Sequence, residues 1–129
     1  MCIRDSMAAM RATLDEVLTD AAFVGMEALA VRFTEGVQNV LDHHDVPWSV
    51  TRLGARAEYR FVRPAPRSGG QSAAAEDEQL DRYFHLYTCN RGVLMTPFHN
   101  MALTCPATTV ADVDLHTEVF AAAAAELDR

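Results

Sequence analysis

Trp48-Ser49-Val50-Thr51-Arg52-Leu53-Gly54-Ala55-Arg56-Ala57-Glu58-Tyr59-Arg60-Phe61-Val62 reads as two short strands joined by a bend. The runs Trp48 to Leu53 and Ala57 to Val62 are rich in β-branched and aromatic residues, which fit a pleated, half-buried surface. In the second run Ala57, Tyr59 and Phe61 alternate with Glu58 and Arg60, so one face is apolar and the other charged. Gly54 lies between the runs, where a tight connection needs a residue without a Cβ. The apolar face needs a cover, and the chain on both sides of the hairpin carries helical periodicity.

Upstream, Met10, Leu14, Val17 and Leu18 fall on one helical face. Thr19-Asp20 offers a break and a new cap, after which Met26, Ala30, Phe33, Val37, Val40 and Leu41 repeat the pattern. That helix is expected to stop around His43-His44-Asp45, because Pro47 disfavours the helical conformation at Val46. Met1 to Ser6 lacks the pattern that follows, so residues 1–6 are expected to be a non-native or boundary leader and residues 7–129 a single domain.

Downstream, Arg63 to Ala75 is punctuated by Pro64, Pro66, Gly69 and Gly70 and reads as a loop. Glu76 to Arg91 returns to helix, with Asp77 as cap, Leu80, Tyr83, Phe84 and Tyr87 on one stripe and Gly92 as the stop. Val93-Leu94-Met95 reads as a short strand ending at Pro97, and Met101 to Thr104 as a second. Thr109-Val110-Ala111-Asp112 has the form of a capping box with aspartate in place of glutamate, opening a last helix through Val113, Phe120, Ala124 and Leu127. This order of elements predicts an α+β domain, a small antiparallel sheet with packed helices.

Composition narrows the function. The 129 residues carry a formal net charge of −7, which argues against nonspecific nucleic-acid binding, since phosphate neutralisation needs clustered base. No apolar run approaches the roughly 20 residues of a membrane helix, so no membrane partner is expected. All 11 basic residues are arginine. With no lysine, the chain cannot by itself complete a mechanism that needs a Schiff-base lysine. Cys2, Cys89 and Cys105 are odd in number and lack CxxC spacing, which fits a reducing, cytoplasmic setting better than a disulfide framework.

Few side chains form a chemical constellation. His43-His44-Asp45 are adjacent on a helix and point about 100° apart, so they converge poorly on a metal and read as a solvated helix end. Cys89 with His85 or His99 is a thiol–imidazole candidate without a recognisable third, orienting residue. Ser68-Gly69-Gly70 lacks the lysine of a phosphate loop and reads as a flexible connection. Arg52, Arg56 and Arg60 recur at spacing four, either as exposed strand charges or as forks for a carboxylate. Phe98-His99-Asn100, between Pro97 and Met101-Ala102-Leu103, is a polar corner that suits either a cleft wall or a structural turn.

The run Asn90-Arg91-Gly92-Val93-Leu94-Met95-Thr96-Pro97-Phe98-His99-Asn100-Met101-Ala102-Leu103, followed by Asp112-Val113-Asp114, resembles the C-terminal segment of class III pyridoxal-phosphate aminotransferases. The resemblance extends to the branch that includes glutamate-1-semialdehyde aminomutase, and Val50-Thr51-Arg52-Leu53-Gly54 is similar to the family's first small-domain strand. It implies the C-terminal small domain of a fold type I enzyme. In that family the large domain holds pyridoxal 5'-phosphate through a Schiff-base lysine, and the intact enzyme is a homodimer. By the same resemblance the partner of this chain is a large domain that it does not contain, and no cofactor is bound covalently here. The aminomutase carries a glutamate shortly after its proline corner, whereas Phe98-His99-Asn100-Met101 contains no acid, a departure that favours an aminotransferase. The resemblance places the strand of Arg56 toward the active-site side, with Tyr59, His99 and Asn100 as its candidate neighbours in substrate binding. A non-catalytic interaction domain of the same fold is the alternative from another class.

Overall fold

The computed structural model describes residues 3–96 and 100–127. Helix α1 (Ile3–Ala12) runs into a wider turn at Thr13–Val17, where Leu18 N–H donates to the Thr13 carbonyl at 2.9 Å. Helical geometry thus starts at Ile3 and passes through Ser6 and Met7 without interruption. No residue of α1 is buried. The Thr19 hydroxyl accepts Ala22 N–H at 3.2 Å and starts α2 (Asp20–His43), as the sequence leads one to expect. All six apolar positions read from its periodicity, Met26, Ala30, Phe33, Val37, Val40 and Leu41, are buried.

Strands β1 (Ser49–Leu53) and β2 (Arg56–Arg60) form an antiparallel hairpin. Leu53 pairs with Arg56 around a two-residue turn, and Gly54 at its head has φ +57°, a conformation in which a Cβ is strained. Strand β3 (Met101–Leu103) lies antiparallel on the other edge of β2, giving the order β1-β2-β3. The apolar face of β2, with Ala57 and Tyr59, turns into the core beneath α2, α4 (Glu78–Cys89) and α5 (Val110–Leu127). Phe84 and Phe120 pack against Tyr59 with ring centroids 6.0 and 4.8 Å away. Aromatic pairs at such distances add to area burial.

Both expected caps hold. Asp77 Oδ1 accepts N–H from Gln79 and Leu80 at the head of α4, and Gly92 closes the exit with φ +82°. At the head of α5, Thr109 N–H donates to Asp112 Oδ2 at 2.8 Å and Asp112 N–H donates to Thr109 Oγ1 at 3.3 Å, the reciprocal pattern of a capping box.

Two readings need correction. The expected strand Val93-Leu94-Met95 is irregular, and only Thr96 bridges to Met101. Val93 N–H is spent on the Thr88 carbonyl as the chain leaves α4, so the segment packs Val93 and Met95 on the core without a ladder. The loop from Arg63 to Ala75 contains a short helix, α3 (Gly69–Ala74). Ser68 Oγ accepts Gln71 N–H while Gln71 Oε1 accepts Arg67 N–H at 2.8 Å. This local exchange outweighs the two glycines.

Candidate functional site

Strand β2 positions the charged candidates by simple alternation. Arg56, Glu58 and Arg60 occupy the face opposite Ala57 and Tyr59. Arg56 Nη2 donates to Glu58 Oε2 at 2.8 Å, and Arg60 Nη2 stands 2.7 Å from Glu58 Oε1 in an ion contact that lacks hydrogen-bond angles. The Glu58 side chain is 11% exposed and that of Arg56 is 50% exposed. One carboxylate is therefore gripped by two guanidinium groups, of which Arg56 is the one open to solvent. Arg52 does not join them: its Nη1 donates to the Gly54 carbonyl at 2.9 Å. A cleft of about 320 Å³ adjoins this face, lined by Glu58, Arg60, Arg67 and the Ser68-Gly69 head of α3.

Tyr59 lies on the other side of the strand, 1% exposed, with its ring in the core. Burial, aided by the charge of Asp81, raises its phenol pKa, so it stays protonated at neutral pH. Its N–H donates to the Asn100 carbonyl at 3.4 Å. Asn100 is buried at φ +47°, a region asparagine tolerates, and its Nδ2 donates to Asp81 Oδ1. Of the four substrate-side candidates, Tyr59 and Asn100 are thus neighbours through the backbone, and Arg56 projects from the opposite face. His99, with Pro97 and Phe98, lies outside the described residues.

The remaining candidates are plainly placed. Cys89 Sγ is 3.8 Å from His85 Nε2, one helical turn apart on α4. His43 and His44 meet edge to face at the end of α2, with ring centroids 5.0 Å apart. Among the described residues, no three His, Cys, Asp or Glu side chains gather as a metal set, and no helix is long and apolar enough to cross a membrane. Sequence reasoning missed three residues: Glu58 as the shared partner of two arginines, Asp81 as the anchor of Asn100, and the buried His116. The last was readable, because Val113, His116 and Phe120 share one face of α5 at helical spacing.

The architecture defines a class. An antiparallel three-stranded sheet covered on one face by helices, with this element order, is the α+β fold of the C-terminal portion of fold type I pyridoxal-phosphate enzymes, and the chain matches the class III members of that group. Two crystal structures of a glutamate-1-semialdehyde aminomutase from Pseudomonas aeruginosa PAO1, one in complex with PMP, are similar to 93% of this chain with 50% sequence identity and a TM-score of 0.91. A beta-phenylalanine aminotransferase from Variovorax paradoxus is similar over 90% of the chain at 25% identity and TM-score 0.72. An omega-transaminase from Sphaerobacter thermophilus shares the fold over 84%, with TM-score 0.70 and 24% identity. The chain spans about a quarter of each of these proteins, 26% of the aminomutase and of the beta-phenylalanine aminotransferase and 25% of the omega-transaminase. No protein-family model matches the sequence.

Proposed function

We propose that this chain is the C-terminal domain of a pyridoxal-phosphate-dependent class III aminotransferase, which transfers an amino group between an amino acid or amine and a keto acid. The class III reading rests on the 50% identity, at TM-score 0.91, to the Pseudomonas aeruginosa enzyme, and the choice of transfer rests on the acid-free run Phe98-His99-Asn100-Met101. When bound, pyridoxal phosphate supplies the electron sink for chemistry at an amine-bearing carbon. The residues present here do not fit that group on their own, because the sequence contains no lysine. The chain alone is therefore inactive, and its partners are a large cofactor-binding domain and, in the intact enzyme, a second subunit in a cytoplasmic homodimer.

Within that reading the domain contributes a wall of the substrate site. Arg56, half exposed, exchanges Glu58 for a substrate carboxylate, which its fork can hold through two parallel bonds. By the resemblance His99 and Asn100 belong to the substrate side, and the Tyr59 N–H holds the Asn100 carbonyl. Amino-group isomerisation is the second reading, favoured by the name of the two structures at 50% identity. The corner without an acid favours transfer.

The test is a chimera in which residues 7–129 replace the matching C-terminal part of the Pseudomonas aeruginosa enzyme. Amino transfer to an added keto acid supports the first reading, and isomerisation without any keto acid supports the second. A chimera that folds and binds PMP yet does neither refutes both and leaves an interaction domain. The 129-residue chain mixed with pyridoxal phosphate is expected to show no stoichiometric absorbance band that survives gel filtration.

A further inference from the structure

We propose that the cleft between α5 and β3 binds a small hydroxyl-bearing molecule with an apolar body, held by the imidazole of His116. The proposal is independent of the aminotransferase reading and concerns a different part of the fold from Arg56. The cleft measures about 340 Å³, at the lower end of the roughly 300–1,000 Å³ of small-molecule sites. Phe33, Val93, Met95, Met101 and Leu103 supply most of its apolar wall, and His116 lines the same space.

His116 is the unusual member. It is 3% exposed, and neither ring nitrogen has a hydrogen-bond partner among the described residues. Its ring is held in place by Phe33, with centroids 4.4 Å apart, and by Phe120 at 5.8 Å in a stacked arrangement. Three other polar side chains of the wall are already engaged. The Thr104 hydroxyl is bonded to the Met26 and Ala55 carbonyls, Thr108 Oγ1 accepts Cys105 N–H, and the Asp112 carboxylate is held by Thr109. Buried donors and acceptors without partners are costly and rare, so an imidazole kept in this state at a cleft is a group waiting for a ligand atom.

The chemistry of the ring selects the ligand. Burial lowers the His116 pKa to about 4, so at neutral pH the ring is uncharged and does not attract an anion. A neutral imidazole offers one N–H donor and one bare nitrogen acceptor. Both nitrogens are closed to solvent, so a ligand reaches one only as the ring turns toward the cleft; a hydroxyl then fits either, since it can accept from the first or donate to the second. A carboxylate can only accept, an ammonium can only donate, and both lose hydration against this apolar wall. The ligand class is therefore a phenol or a short alcohol.

Phenol titrated into the full 129-residue chain is the probe, followed by the NMR signals of the His116 ring and of the Met95 and Met101 methyl groups. A saturable, one-site shift of all three is expected, with no effect of benzoate. His116→Phe should weaken phenol at least tenfold and leave toluene unaffected. Ala102→Trp, which fills the cleft from β3, should abolish both and serves as the second variant if His116→Phe does not fold. The proposal is overturned by the absence of saturation, by shifts confined to other residues, or by equal phenol affinity in the folded His116→Phe protein.

Discussion

Gly36 sits on α2 where it crosses α5, and adding a single methyl group there tests whether packing at that crossing governs stability. A Cβ at Gly36 would lie 2.5 Å from Thr117 Oγ1, 2.9 Å from its Cγ2 and 3.3 Å from its Cβ. Rotation of Thr117 offers no escape. Of the three staggered positions on its Cβ, two face Gly36, and two of the three must hold heavy atoms, so at least one always points at the new methyl. The present rotamer also lets Thr117 Oγ1 donate to the Val113 carbonyl at 3.1 Å. Overpacking of this kind costs about 1–3 kcal/mol. Exchange of glycine for alanine in a helix interior returns about 1 kcal/mol. Gly36→Ala should therefore destabilise the chain by about 1 kcal/mol net. In a Thr117→Ala background both γ atoms are gone and only the tight 3.3 Å contact remains, so the same change should stabilise by up to about 1 kcal/mol. The two helices would then show a coupling of about 2 kcal/mol in a double-mutant cycle. Urea unfolding followed by Trp48 fluorescence measures it, because Trp48 is buried against Phe61 and Phe84. Equal stabilisation by Gly36→Ala in both backgrounds would refute the reasoning.

Four more outcomes are expected. His116 titrates near 6.5 when unfolded and at about 4 when folded, so the unfolded chain binds more protons between those values. Stability is complete above pH 6.5 and falls as the pH drops towards 4, by on the order of 3 kcal/mol, and urea titrations of His116→Phe should lose that slope. Phe120→Ala empties the contact between Tyr59, Phe84 and His116 and should cost about 3–5 kcal/mol, enough to abolish the cooperative melt of so small a domain. Ile3, Met7, Met10, Leu14 and Val17 are exposed along one side of the first helical segment, so sedimentation should show association that Met10→Glu with Leu14→Glu reverses; a monomer at high concentration in the parent chain counts against this. In the active chimera, Arg56→Lys should lose most of the rate with carboxylate substrates, because the charge remains but the fork is gone, and unchanged kinetics would assign Arg56 to Glu58 alone.

The features legible in the sequence were those set by neighbours a few residues apart. Thr19, Asp77 and the Thr109–Asp112 pair cap their helices through bonds spanning two or three positions, and Gly54 and Gly92 take the backbone angles that other residues avoid. Period-two alternation alone separates Tyr59 from Arg56, and helical spacing alone identifies the buried side of α2. The absence of lysine likewise settles, without any structure, what this chain cannot anchor by itself. The Ser68–Gln71 exchange was also local, but the surrounding glycines and prolines obscured it.

Tertiary structure decided which of two available partners each group took. Val93 N–H could have joined a ladder, but it is spent on the Thr88 carbonyl at the end of α4, so this segment meets β3 only through the Thr96–Met101 bridge. His116 is an ordinary polar residue until Phe33, Tyr59 and Phe120 close around it and leave both nitrogens without partners among the described residues. Helix caps and turns draw their energy from bonds within a few residues, so a short window of sequence suffices to read them. Strand partnership and the desolvation of a buried ring depend on groups tens of residues away, whose positions exist only after the chain has packed.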